Sequence, residues 1–310
     1  MPVNPTRGRK LIVGGAALLA FGIIATAAVR WDRRDVGPSA ANDPAAAAAS
    51  AVAKARDALP STTPSPAEPA TDDVTSAPPQ PPELANNPIY RVGNLPASHC
   101  AQPEQEPTSL ATVRTFYTEL LGCLNKAWAP AIRKAGFKFQ PPKLVVVKGR
   151  SPSSPCDVDD GDAYYCGDTI YVDATADLDG WTYDQGRTLA YMTFLLGHEY
   201  GHHVQALTGI LAAEYKWELP LSGVDLALQG SRRVELQADC LSGVHLGAVQ
   251  DSYLVVDEDL EAWQAIVRSF EDPERDHGNT ENAGNWSIAG FDAADPKACN
   301  TFTAAPPLVS

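Results

Sequence analysis

Positive charge is what this chain has little of. Its 310 residues carry 24 lysines and arginines against 38 aspartates and glutamates, a net charge of -14. Six of the basic residues (Arg7, Arg9, Lys10, Arg30, Arg33 and Arg34) fall near the N-terminus, so the rest is more acidic still. Nothing there would neutralise phosphates, which excludes nucleic acid as a partner. No internal repeat runs through the sequence, so a repeat architecture is excluded. From Leu11 to Val29 charge is absent altogether, and the run has no polar face, which makes it a poor core helix for a soluble domain. As a helix it is roughly 28 Å long, close to the thickness of a bilayer core. That length favours a retained anchor over a cleaved signal peptide, whose apolar region is about 7 to 15 residues. Ala25-Thr26-Ala27 nevertheless has the small-x-small form of a cleavage site. Three basic residues flank each side, so charge does not orient the run.

Large apolar residues are scarce from 36 to about 95, where Ala45 to Ala49 and Pro78-Pro79-Gln80-Pro81-Pro82 set the composition. Such a stretch buries too little to order itself and reads as a disordered Ala/Pro/Ser-rich linker, roughly 45 Å across as a flexible coil. The expected layout is a cytoplasmic basic N-terminus at 1–10, a transmembrane signal-anchor at 11–29, the linker at 30–95 and a folded domain at 96–310.

Six cysteines, Cys100, Cys123, Cys156, Cys166, Cys240 and Cys299, all follow the apolar run. An even count after an export signal points to disulfides and an oxidising compartment, which puts the folded domain outside the membrane. Fifteen pairings are open to six cysteines. The expected set is Cys100 with Cys123, Cys156 with Cys166 across a short loop of Pro, Asp and Gly, and Cys240 with Cys299.

The chemistry is concentrated in His198-Glu199-Tyr200-Gly201-His202, an H-E-x-x-H pattern. Residues four apart share a helix face, so His198 and His202 can present two imidazoles to one metal. Zinc lowers the pKa of a bound water to about 7, and Glu199 stands where it can take that proton. The apolar run from Leu189 to Leu196 before the motif, and Gly209 after it, fit a core helix and its stop.

A third ligand is needed. A metzincin would have Gly at 205 and His at 208, but this chain has Gln205 and Thr208. A glutamate from a second helix is the other solution. Glu235 fits, with Asp239 one turn on to accept a hydrogen bond from a ligand imidazole and fix its orientation. Glu214 and Glu218 compete, without a paired carboxylate one turn on. His203 lies about 100° round the helix from His202 and breaks the pairing. Asp157-Val158-Asp159-Asp160-Gly161-Asp162 does not fit an EF-hand, because Gly161 falls where an acidic ligand is required.

His198 to Gln205, followed by Glu235-Leu236-Gln237-Ala238-Asp239-Cys240, resembles the bacterial neutral zinc metallopeptidase family. Tyr164-Tyr165-Cys166, Thr169 to Asp173, His277-Gly278, Gly290-Phe291 and Cys299-Asn300-Thr301-Phe302 extend the likeness over roughly residues 96 to 304. The arginine that the family carries between His-Gly and Gly-Phe has no counterpart here, where Ala283 and Asn285 stand.

The order of elements predicts an α+β zincin-like domain, a small sheet packed on helices. Helices are expected over Thr108–Trp128, through the H-E-x-x-H motif, around Glu235 and near Asp259–Phe270, and strands over Lys143–Lys148 and Thr169–Asp173. The expected activity is zinc-dependent endopeptidase action, with Zn2+ on His198, His202 and Glu235, Glu199 as base, and a protein or peptide as substrate. A substrate strand is expected to add along Thr169–Asp173. An oxyanion donor is also needed, and the residues do not choose among His277, His245 and Tyr253. Two other readings compete: a non-catalytic zinc-stabilised envelope binding module and a zinc amidase of cell-wall peptides. The expected location is the cell membrane, or secretion if the N-terminal segment is cleaved.

Overall fold

A computed structural model describes residues 80–151, 154–156, 163–218, 224–253 and 257–310. The apolar run, most of the linker and the Asp157–Asp162 stretch lie outside the described residues. Among those described, no helix is long and apolar enough to cross a membrane.

In chain order come α1 (Pro82–Ala85), a 3-10 turn (Pro88–Arg91), α2 (Leu110–Lys134), β1 (Lys143–Val147), β2 (Ala163–Cys166), β3 (Thr169–Asp173), α3 (Thr175–Trp181), α4 (Gln185–Leu207), α5 (Ile210–Glu218), α6 (Val224–Tyr253), α7 (Asp257–Val267) and α8 (Thr280–Ala293). Three short 3-10 turns close the chain, Pro296–Cys299, Thr301–Thr303 and Pro306–Val309. The domain is α+β and mostly helical, with one three-stranded sheet in the order β1-β3-β2.

Three elements differ from expectation in ways that matter. β2 was not expected. It pairs antiparallel with β3 through the turn Gly167-Asp168, both residues having positive φ (56° and 63°), as a tight hairpin requires. β3 also pairs in parallel with β1, from Lys143 opposite Thr169 to Val147 opposite Asp173. Both its edges are therefore taken, and a substrate strand cannot add along Thr169–Asp173. Helix α2 runs on past Trp128 through Pro130, because Ala131 and Ile132 bury in the core and offset the lost hydrogen bond.

The folded part also starts earlier than residue 96. Leu84, Ile89, Tyr90, Val92 and Leu95 all belong to the main core. Asn87 Nδ2 donates to the Thr208 carbonyl (3.0 Å) at the end of α4, and Leu95 N–H donates to the Ala294 carbonyl (2.9 Å) after α8. Composition over a long window hid these few apolar residues at the end of the linker.

Helix α4 begins where Asp184 Oδ1 accepts the Arg187 N–H (2.9 Å), a side-chain cap on the first turn. From Ala190 to Gln205 every residue is buried, so α4 is the central helix of the domain. Helix α6 crosses it at very close range. A Cβ on Gly201 would lie 2.8 Å from the Ala238 Cα and 2.9 Å from its carbonyl oxygen. Helix α8 packs on the far side of α6, with Gly290 against the Cys240 backbone. The bridges Cys100–Cys123, Cys156–Cys166 and Cys240–Cys299 are all formed, the last between α6 and the C-terminal turns.

Two outcomes test this packing. A chain cut back to residue 96 removes five buried apolar side chains, each costing about 2–5 kcal/mol when truncated alone. Its thermal midpoint should fall by about 10 °C or more against a chain starting at residue 80. Equal midpoints would place residues 80–95 outside the fold. Gly201→Ala should destabilise by about 1–3 kcal/mol in urea unfolding, and Ala238→Gly should not rescue it, because the closest clash is with backbone.

Candidate metal centre

The crossing of α4 and α6 brings three ligating atoms into a near-equilateral triangle. His198 Nε2 lies 3.1 Å from His202 Nε2 and 3.1 Å from Glu235 Oε2, and His202 Nε2 lies 3.2 Å from the same oxygen. A tetrahedron with bonds of about 2.05 Å has edges of about 3.3 Å, so the triangle has the size of one zinc coordination face. Two imidazole nitrogens and a carboxylate oxygen are also the donor set that suits zinc. The residues present therefore fit the metal. Glu214, one of the two competitors for the third position, points instead toward Gly230 of α6. His203 faces away, bonded to Tyr165 (3.1 Å) and to the Gln140 carbonyl (2.8 Å).

The imidazoles are oriented from behind. Asp239 Oδ1 sits 2.7 Å from His198 Nδ1, on the side away from the triangle. Gln205 Oε1 sits 2.9 Å from His202 Nδ1, a partner that the sequence analysis did not identify. Its place one turn after His202 was the available signal.

Burial opposes charge on His198, but hydrogen bonds and charge from Asp239 and Glu235 hold its pKa well above the ordinary value. Burial likewise opposes ionisation of Glu235. The charges of His202 and His277, with hydrogen bonds from His198 and His202, hold its pKa well below the usual range.

Glu199 is fully buried, and neither carboxylate oxygen has a hydrogen-bond partner among the described residues. Burial pushes its pKa up to about 7, against the pull of His198 and His202. Such a carboxylate can take and release a proton near neutrality.

Of the three oxyanion candidates, His277 is the one whose ring approaches this cluster within ion-pair distance, with Nε2 3.7 Å from Glu235 Oε2 and without a hydrogen-bond partner among the described residues. Asp276 Oδ1 holds its Nδ1 at 2.7 Å. The turn carrying it is built on Asp272, whose carboxylate accepts the backbone N–H of Asp276, His277 and Gly278. Tyr253 spends its hydroxyl on Thr193 (3.0 Å). Beside His198 and His277 opens a cavity of about 40 Å³ walled by Phe194, Phe270, Pro273 and Ala283.

His245 is buried on α6 with both ring nitrogens unpartnered among the described residues, and burial lowers its pKa from 6.5 to about 4. The unfolded chain then binds the extra proton between those values. Stability from this group is complete above pH 6.5 and is lost as pH falls toward 4, by about 3 kcal/mol in all. With chelator present, wild type should lose stability between pH 7 and pH 4.5 faster than His245→Leu, and parallel pH profiles in urea unfolding would reject the buried neutral ring.

Known proteins resemble parts of this chain. The uncharacterized protein YpfJ of Escherichia coli K12 is 28% identical over 214 residues, 60% of this chain and 70% of that protein. The uncharacterized protein Rv2575 of Mycobacterium tuberculosis H37Rv is 31% identical over 135 residues, 36% of this chain and 44% of its own length. No solved structure matches the chain significantly. A family model matches residues 91–302, most of the described domain and all of the metal centre, and on that match the chain belongs to the family described as "Putative neutral zinc metallopeptidase".

Proposed function

We propose that this protein is a zinc-dependent endopeptidase, tethered to a membrane by its N-terminal apolar run and acting on peptide bonds outside the cytoplasm. The observation that carries the chemistry is the buried Glu199 carboxylate, without a partner, beside the triangle of His198, His202 and Glu235. A zinc site that only held the fold together would have no use for it. The tether and compartment rest on the uncharged run, the linker after it and three disulfides, which form in oxidising compartments.

Zinc held by His198, His202 and Glu235 supplies Lewis acidity toward a water molecule and toward the substrate carbonyl. Glu199 takes the proton of the attacking water as its oxygen bonds to the carbonyl carbon. The same carboxylate passes that proton to the amide nitrogen as the C–N bond breaks. Asp239 keeps the His198 ring turned toward the ligands. His277, held by Asp276, donates from Nε2 to the carbonyl oxygen as charge builds there. The cavity beside His198 takes an apolar substrate side chain next to the scissile bond.

Glu199→Gln keeps the size of the side chain and removes the base. Its zinc content and folding should match wild type, while peptide hydrolysis falls by about 10²- to 10⁴-fold. Glu235→Ala should lose zinc first and activity as a consequence. Zinc loss in Glu199→Gln with retention in Glu235→Ala would reverse the two roles, and wild type without any peptide hydrolysis would sink the enzyme reading.

A further inference from the structure

Behind His202 lies a chain of buried amides that neither the ligand set nor the base requires. Gln205 and Gln237 are both fully buried. Gln205 Nε2 donates to the Val234 carbonyl (2.7 Å) and to Gln237 Oε1 (3.1 Å). Gln237 Nε2 donates to the Cys299 carbonyl (2.9 Å) and to the Tyr90 hydroxyl oxygen (2.7 Å).

The direction of this chain is forced. A backbone carbonyl only accepts, so Cys299 fixes which end of the Gln237 amide is nitrogen. The Gln237 oxygen then faces Gln205, and the Val234 carbonyl fixes the Gln205 nitrogen in the same way. The Gln205 oxygen is thereby presented to His202 Nδ1, which must be the N–H donor. In the neutral ring, the form that can hold a metal, Nε2 then carries the lone pair, on the side of Glu235 and His198.

We infer that Gln205, Gln237 and Tyr90 form a relay that sets the tautomer of His202 and ties metal affinity to the segment at residues 80–95. Gln205 is the positioning residue for the ring. Gln237 positions Gln205, and Tyr90 positions Gln237 from the end of what composition reads as linker. The two ligand histidines thus have unlike supports, a carboxylate behind His198 and a neutral amide behind His202. Each buried donor and acceptor in such a chain constrains the next, so losing one end is felt at the other.

The inference rests on the zinc site, and wild-type binding tests that site while the variants test the relay. Zinc affinity of the full-length protein is measured by chelator competition, with cobalt(II) absorption reporting ligand geometry. Gln205→Met should weaken zinc binding by about 10- to 100-fold, the usual cost of losing the outer partner of a ligand imidazole. Tyr90→Phe, which removes one hydroxyl and preserves the core, should weaken it by roughly 2- to 10-fold, about one hydrogen bond, and shift the cobalt band. In the double variant Tyr90→Phe should add nothing to Gln205→Met, because the path to the ring is already cut. Wild-type zinc affinity and an unchanged cobalt spectrum in Tyr90→Phe would overturn the relay. So would a full additive effect of Tyr90→Phe on top of Gln205→Met, the mark of a role in general stability. No zinc bound by wild type would overturn both the site and the relay.

Discussion

The close crossing of α4 and α6 is the constraint on which the rest of the structure depends. Gly201 lies between His198 and His202 and carries no side chain, so the α6 backbone at Ala238 reaches contact distance. Glu235, three residues earlier on α6, arrives within 3.2 Å of both imidazoles as a result. A Cβ at 201 would push the helices apart along the line that sets the ligand triangle. The variable residues of the H-E-x-x-H pattern are therefore not free here. Gly201 sets the helix spacing, and Tyr200 sends its hydroxyl to Asn125 of α2 at 2.9 Å.

Bringing two imidazoles and a carboxylate together in the core is electrostatically costly without a compensating cation. Hydrogen bonds and charge from Asp239 and Glu235 favour the protonated His198, and the charges of His202 and His277 favour the ionised Glu235, each against burial. A metal ion bound there would displace protons from the same cage, so its affinity would depend on pH. The buried Asp239 and Gln205 keep the rings oriented in either state, and the fold bears the ordering cost in advance.

The parts of the chain farthest from the motif in sequence complete this cage. Arg232 and Arg233, just before Glu235, donate to the carbonyls of Val309, Arg275, Thr301 and Ala304. The Cys240–Cys299 bridge fastens the same helix one residue after Asp239. Helix α6 is thus clamped on both sides of Glu235, and the turn that carries His277 is held by Arg232 through Arg275.

Local spacing by itself put His198 and His202 on one helix face with Glu199 beside them, put Glu235 and Asp239 on one face of a second helix, and marked most of the main helices. These follow from periodicity, capping and donor chemistry within a few residues. Helix α8 escaped because Gly284 and Gly290 lower its intrinsic propensity, and it forms through packing on α6. Strand β2 escaped because it is short, and β3 was taken for an edge because pairing order is not written in a strand's own residues. Gln205 was visible as a residue but not as a partner of His202, and Tyr90 was lost in a window dominated by proline and alanine. Only the tertiary structure decided that His277 rather than His245 or Tyr253 approaches the ligands. That choice depends on how α6 and the Asp272 turn meet in space, a long-range contact to which local sequence patterns are blind.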